Sequence, residues 1–122
     1  ANTVRNRIEH LEGEGIIQKY LPIINYEQAG YQLVVEMICT APIPERPVLA
    51  KEALELNGVV GVHELMTGKR NVIVTAVAAE GEEITNVANA ITELGLTIES
   101  EELMKNDYFR PFSQFGNDAI QA

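Results

Sequence analysis

The sequence predicts an α+β domain whose strands and helices follow the order βαββαβ. Three observations carry that expectation. Four segments after residue 30 are apolar with a strand-like period of two or a short continuous run. Two segments with a helical period of 3.6 separate the first strand from the second and the third from the fourth. Only a short polar turn with one glycine joins the second strand to the third, which marks a hairpin. The chain has 122 residues, 46% of them apolar, enough for one globular domain with a substantial core but not for two.

The elements follow in order. Val4, Ile8 and Leu11 fall at i, i+4 and i+7 and predict a helix of about three turns. Gly13 and Gly15 end it, because glycine leaves helical geometry cheaply. Two short β-rich runs follow, Ile16 to Lys19 and Leu21 to Tyr26, with Pro22 between them. Tyr31 to Thr40 reads as the first strand of the main domain. Its odd positions, Tyr31, Leu33, Val35, Met37 and Cys39, are all apolar, so they face a full core. Its even positions mix Val34 and Ile38 with Gln32, Glu36 and Thr40, which predicts a partly apolar second face.

A proline-rich loop spans Ala41 to Pro47, and Pro47 suits the first turn of a helix. Leu49, Ala53 and Leu56 make the stripe of that helix, and Asn57-Gly58 ends it. Val59 to Thr67 is the second strand, Gly68 to Asn71 a turn, and Val72 to Ala79 the third strand. Glu82 and Glu83 open the next helix, where carboxylates favour the positive dipole end. Ile84, Val87, Ala88, Ile91 and Leu94 form its stripe, and Gly95 closes it. Leu96 to Lys105 is the fourth strand. The arrangement is ferredoxin-like, with a four-stranded antiparallel sheet. Both helices fall on one face, so the other face of the sheet is expected to be an interface.

The opening residues carry a resemblance. Thr3, Val4, Arg5, Arg7, Ile8, Leu11, Glu12, Gly15 and Ile16 resemble the recognition helix and start of the wing in the Lrp/AsnC (feast/famine) transcription regulators. Asn25 to Gly30 resembles that family's linker into its effector domain, and the likeness extends over residues 2–105. The resemblance implies a winged helix-turn-helix remnant, without the first two helices, so the chain is expected to be a fragment. Its organisation would be a recognition-helix remnant, wing and linker at 1–27, an effector-binding and oligomerisation domain at 28–107, and a C-terminal arm at 108–122. Asn2, Thr3, Arg5 and Arg7 would be the DNA-facing residues. In this family the sheets pack face to face into homodimers, and four dimers often close into an octameric ring. The resemblance also implies that DNA is a partner of the full-length protein.

The family's hairpin turn carries a glycine and, three residues on, usually an aspartate. Backbone groups and that acid help hold a small-molecule effector, typically an amino acid. Here Gly68 matches and Asn71 stands in the acid's place. Glu99 and Glu101 stand on the fourth strand where the family often has threonines. The effector-binding set is therefore expected to be Thr67, Gly68, Lys69, Arg70, Asn71, Glu99 and Glu101. Lys69 and Arg70 suit an anionic group. On this reading Asn71→Asp restores the family pattern and improves amino-acid binding. The plainer alternative is a solvated hairpin tip, since polar turns are common.

Charge and composition narrow the function classes. The chain carries a net −9, of which residues 1–30 hold −1 and residues 31–122 hold −8. Phosphate binding needs a positive surface, so the body of the chain would repel DNA. The two histidines, His10 and His63, lie on different elements and form no ligand spacing, so no metal and no cofactor are expected. No activated nucleophile, acid–base pair or phosphate-cradling loop is present, which points away from an enzyme. The siroheme-decarboxylase relatives of this family need cationic and histidine groups around a tetrapyrrole, and only His63 lies on the sheet. No apolar run reaches the ~18 residues of a membrane span. The single Cys39 sits in an apolar strand and reads as buried and inert. With no secretion signal, this suggests the cytoplasm.

Tyr108, Phe109, Phe112 and Phe115 crowd the C-terminal stretch, which reads as an arm packing on a neighbouring subunit, followed by a frayed tail at Asn117 to Ala122. The expected function is the effector-sensing and oligomerisation part of a prokaryotic transcription regulator, with a stand-alone ligand-sensing domain that never touches DNA as the alternative.

Overall fold

The computed structural model describes residues 2–16, 18, 24–108 and 110. They fall in two compact units, Ile24–Asn106 and a second one drawn from 1–23 and 107–122. Each is considered by itself.

In the second unit, helix α1 spans Asn2–Gly13. Leu11 is buried, whereas Val4 and Ile8 of the same stripe are exposed. The helix ends as its glycines predict. Gly15, at φ +77°, donates to the Glu12 carbonyl, and Ile16 donates to the Leu11 carbonyl at 2.8 Å. That pair of bonds is a Schellman motif, which satisfies carbonyls the helix would otherwise leave open. Half of the two β-rich runs expected between 16 and 26, residues 17, 19 and 21–23, lies outside the described residues.

The main unit begins with a correction. Residues Ile24 to Tyr26 form no strand. The Asn25 side chain accepts from the Gln28 amide at 3.1 Å, and Ala29 donates to the Asn25 carbonyl. Gly30, at φ +100°, closes this single helical turn as Tyr31 donates to the Tyr26 carbonyl. Local capping by asparagine outcompetes the β-propensity of residues 24–26.

Strands β1 (Leu33–Thr40), β2 (Val59–Glu64), β3 (Val72–Ala78) and β4 (Thr97–Leu103) form one antiparallel sheet in the order β2-β3-β1-β4. Helix α2 (Arg46–Leu54) joins β1 to β2, and α3 (Gly81–Leu94) joins β3 to β4. This is the expected ferredoxin-like arrangement. Some boundaries shift. A 3-10 turn, Ile43–Glu45, fills much of the expected proline loop and leads straight into α2. β2 stops at Glu64, so the β2–β3 connection runs from 65 to 71. α3 ends as Gly95 takes φ 112° and Leu96 donates to the Ile91 carbonyl.

The core lies between the sheet and the two helices. Val35, Met37 and Cys39 of β1 and Val72, Val74 and Ala76 of β3 meet Leu49 and Ala53 of α2 and Val87 and Ile91 of α3. Each large apolar side chain buried this way contributes about 1.5–3 kcal/mol. Cys39 has no exposure and its thiol reaches only the Met37 carbonyl. Burial pushes that thiol up to about 11, with the negative charges of Glu101 and Glu99 adding to the effect. It is a small core hydrophobe, protonated near neutral pH.

The opposite face of the sheet has no helix of this unit on it. Register places Val34 beside Val77 and Ile38 beside Ile73 there. Glu36 stands directly opposite Glu102 on the same face, a like-charged cross-strand pair that destabilises a free sheet. The face is therefore part apolar and part acidic, as the even positions of β1 predict.

Candidate functional site

The expected effector-binding residues gather at one end of the sheet. That end holds the C-termini of β1 and β2 and the N-termini of β3 and β4. Thr67, Gly68, Lys69 and Arg70 are exposed in the connection between β2 and β3. Neither Lys69 nor Arg70 forms an ion pair among the described residues. Gly68 takes φ +97°, and the nearest atom to a Cβ added there is the Arg70 carbonyl oxygen at 3.9 Å. Its requirement is thus conformational rather than steric. Gly68→Ala is expected to lower stability by about 1–2 kcal/mol, the cost of a left-handed backbone for an L-residue. Thermal unfolding with an unchanged core signature would check it.

Asn71 departs from expectation. It is 3% exposed, the one buried polar residue among those described. Its Oδ1 accepts from the Ala41 amide at 2.8 Å, and its Nδ2 donates to the Ala41 carbonyl at 2.9 Å. Its backbone amide donates to the Cys39 carbonyl, and its carbonyl accepts from Leu65. The side chain acts as an extra peptide group, extending the β1–β3 ladder past the end of β1. It carries a donor and an acceptor on one plane, which an aspartate does not. Asn71 therefore shapes the turn rather than presenting its amide to a ligand, and Asn71→Asp is not expected to improve binding.

A residue that the sequence pattern does not single out completes this end. Arg46, at the start of α2, donates from Nη1 to the Leu65 carbonyl at 2.7 Å. Its Nε lies 3.5 Å from Glu64 Oε1. Asn71 and Arg46 together tie the 41–46 segment to the 64–71 connection. Both ties span long stretches of chain, so no local periodicity reports them.

The two β4 acids separate. The chain bulges between the pairs formed by Ile38 and Cys39, and Glu99 sits in that irregularity. Its Oε1 accepts from the Thr40 hydroxyl at 2.9 Å. Glu101 pairs across from Met37 and is exposed on the edge strand. Glu99 belongs to the same end of the sheet as the turn, whereas Glu101 lies farther along β4. Among the described residues no cluster of metal-ligating side chains forms. No helix there is long and apolar enough to cross a membrane.

In the other unit, Thr3, Arg5 and Arg7 are exposed on α1, and Asn2 starts that helix. Tyr108 is exposed, while Phe109, Phe112, Phe115 and the tail from Asn117 lie outside the described residues.

No family model and no curated protein matches the chain by sequence. Solved structures do match. The feast or famine regulatory protein Rv3291c of M. tuberculosis, complexed with L-methionine, aligns at TM-score 0.72 and 20% identity over 91% of this chain and 76% of that one. The chain has the feast/famine regulator fold. The leucine response regulatory protein LrpA of Mycobacterium tuberculosis shares this fold at TM-score 0.66 and 22% identity, over 89% of this chain and 75% of that one. So does the transcriptional regulator NMB0573 of Neisseria meningitidis, solved with L-Met, at TM-score 0.71 and 15% identity over 94% and 76%. The resemblance read from the sequence and the feast/famine fold thus agree. At these identities the likeness establishes architecture, and site chemistry must come from this chain's own residues.

Proposed function

We propose that the chain is the effector-sensing and oligomerisation part of a prokaryotic Lrp/AsnC-like transcription regulator in the cytoplasm. The observation that supports it most is the match over 91% of the chain to a feast/famine protein solved with L-methionine. On this reading the segment 28–107 senses a small molecule, an amino acid or a relative of one, at a subunit interface. Residues 1–27 are the remnant of a DNA-binding domain, with Asn2, Thr3, Arg5 and Arg7 on its recognition helix, and 108–122 is an arm.

Lys69 and Arg70 supply positive charge for a carboxylate, and Thr67 supplies a hydroxyl. Glu99, held by Thr40, offers the nearest acid on β4. Asn71 and Arg46 hold the turn in shape. Homodimers form through the uncovered sheet face and assemble further into rings, so that a turn from one subunit meets a neighbour. A ligand that binds one assembly better than another shifts the population between them, and with it the spacing of attached DNA-binding domains.

Calorimetry with the proteinogenic amino acids, paired with light scattering at micromolar protein, tests this. Binding by at least one amino acid, with a change in assembly, is expected. A monomer that binds none of them would remove the sensing role.

A further inference from the structure

The opposite end of β2 and β3 holds a groove of about 490 Å³ between the turn after α2 and the first turns of α3. Its apolar side chains are those of Leu56, Val87 and Ala90. Asn57, Glu83 and Asn86 supply its polar groups. On α3, Glu83, Asn86, Val87 and Ala90 recur at i, i+3, i+4 and i+7, so they share one face. The volume falls in the range of small-molecule sites, which combine apolar walls with a few polar groups.

The polar groups are specific in kind. Glu83 is exposed; its Oε2 accepts from the Ala79 amide at 3.0 Å, which orients the carboxylate, and its Oε1 has no partner among the described residues. Asn57 and Asn86 are exposed, and their side-chain amides have no hydrogen-bond partner among the described residues. Among the described residues no lysine or arginine lines the groove, and Glu80 and Glu82 flank it in sequence. Gly58 matters as well. A Cβ there would come within 3.2 Å of Val87 Cγ2 and 3.4 Å of the Val77 carbonyl oxygen.

We propose that this groove binds a small molecule carrying an ammonium group on an apolar body, an aliphatic amine or aliphatic amino acid, with the ammonium on Glu83. The apolar body covers Leu56, Val87 and Ala90. The amides of Asn57 and Asn86 accept further ammonium hydrogens or, for an amino acid, donate to its carboxylate. The site is separate from the basic turn at 65–71, where Lys69 and Arg70 suit a carboxylate rather than an ammonium. A regulator built this way has an acidic, apolar groove at one end of its sheet and a basic turn at the other.

The test is a titration of the isotope-labelled full chain followed by amide chemical shifts, with three probes. L-leucine carries both charges, 3-methylbutylamine only the ammonium, and 4-methylpentanoate only the carboxylate. L-leucine and the amine are expected to shift the amides of Gly58, Asn86, Val87 and Ala90, with a Kd of about 1 mM for so small a ligand. The carboxylate alone is expected to leave them in place. Binding by the amine but not by L-leucine would assign the site to amines; equal binding by both would admit amino acids. Glu83→Gln keeps an oxygen for the Ala79 amide, so the fold stays while the affinity falls about fivefold. Ala90→Leu fills the groove from the solvent side of α3 and is expected to abolish the shifts without loss of the fold. The proposal is overturned if the groove amides do not respond, if 4-methylpentanoate binds as well as the amine, or if Glu83→Gln binds unchanged. Shifts confined to 67–70 would likewise overturn it, while leaving the proposed sensing role of the turn intact.

Discussion

Asn71→Asp is expected to destabilise the chain by about 3 kcal/mol near neutral pH, and not to create a better amino-acid site. The clasp on Ala41 consists of two short hydrogen bonds in a buried place. The substitution keeps the acceptor that meets the Ala41 amide. It replaces the Nδ2 donor with a second oxygen aimed at the Ala41 carbonyl oxygen. Two acceptors then face each other without water, and a full negative charge is desolvated. Burial and the facing carbonyl both raise the new carboxyl's folded-state pKa above its unfolded value. Stability is therefore retained below the ordinary carboxylate range of about pH 4 and lost as pH rises through the raised folded value. The protonated acid can donate to the Ala41 carbonyl, which restores the clasp. Denaturant unfolding across that range reads the effect. A loss that is the same at pH 4 and pH 7 would show that the clasp is not what Asn71 contributes. Asn71→Ala lacks the pH term and is expected to lose about 2 kcal/mol throughout.

The Asn71 clasp on Ala41 illustrates which parts of the molecule are legible in its sequence. The stripe of α3, the alternation of β1 and the closing glycines at 15 and 95 are local patterns, and the structure has them as expected, except that β1 begins at Leu33 and leaves Tyr31 exposed rather than facing the core. Glycine at 68 is legible for the same reason, since the positive φ it adopts is a property of one residue. Asn71 is different. In a polar turn its sequence neighbours announce exposure, yet its partner is Ala41, thirty positions away. Arg46 is hidden in the same way, because its partner Leu65 is nineteen positions distant. Residues 24–26 are not strand because of a competing local signal, since the Asn25 side chain caps a helical turn. The Glu99 bulge could not be read from strand periodicity, because alternation presumes an unbroken register. The family resemblance reaches the turn and β4 by position alone, and there this chain's chemistry departs from the pattern.

Val34→Glu is expected to weaken self-association by at least roughly a hundredfold, a change of about 3 kcal/mol. Val34 lies on the uncovered sheet face beside Val77, with Ile38 and Ile73 next to it on the same face. These apolar groups are only half covered within the unit, apart from Val77, which is buried. Face-to-face packing of two sheets is the proposed use of that surface. It would bring Val34 into an apolar contact where an added carboxylate has no cation to meet. Glu36 and Glu102 already hold negative charge opposite each other on this face, so a third acid also adds repulsion. The isolated unit should tolerate the change, since the new side chain can reach water when no partner covers it. Assembly and stability thus separate in one variant. Light scattering should show the substituted chain as a monomer at micromolar concentration, with a melting temperature extrapolated to low concentration close to that of the unsubstituted chain. A substituted chain that still dimerises, or an unsubstituted chain that is already a monomer, would mean that the half-apolar face is not where copies meet. Ligand control of regulator spacing would then need another interface.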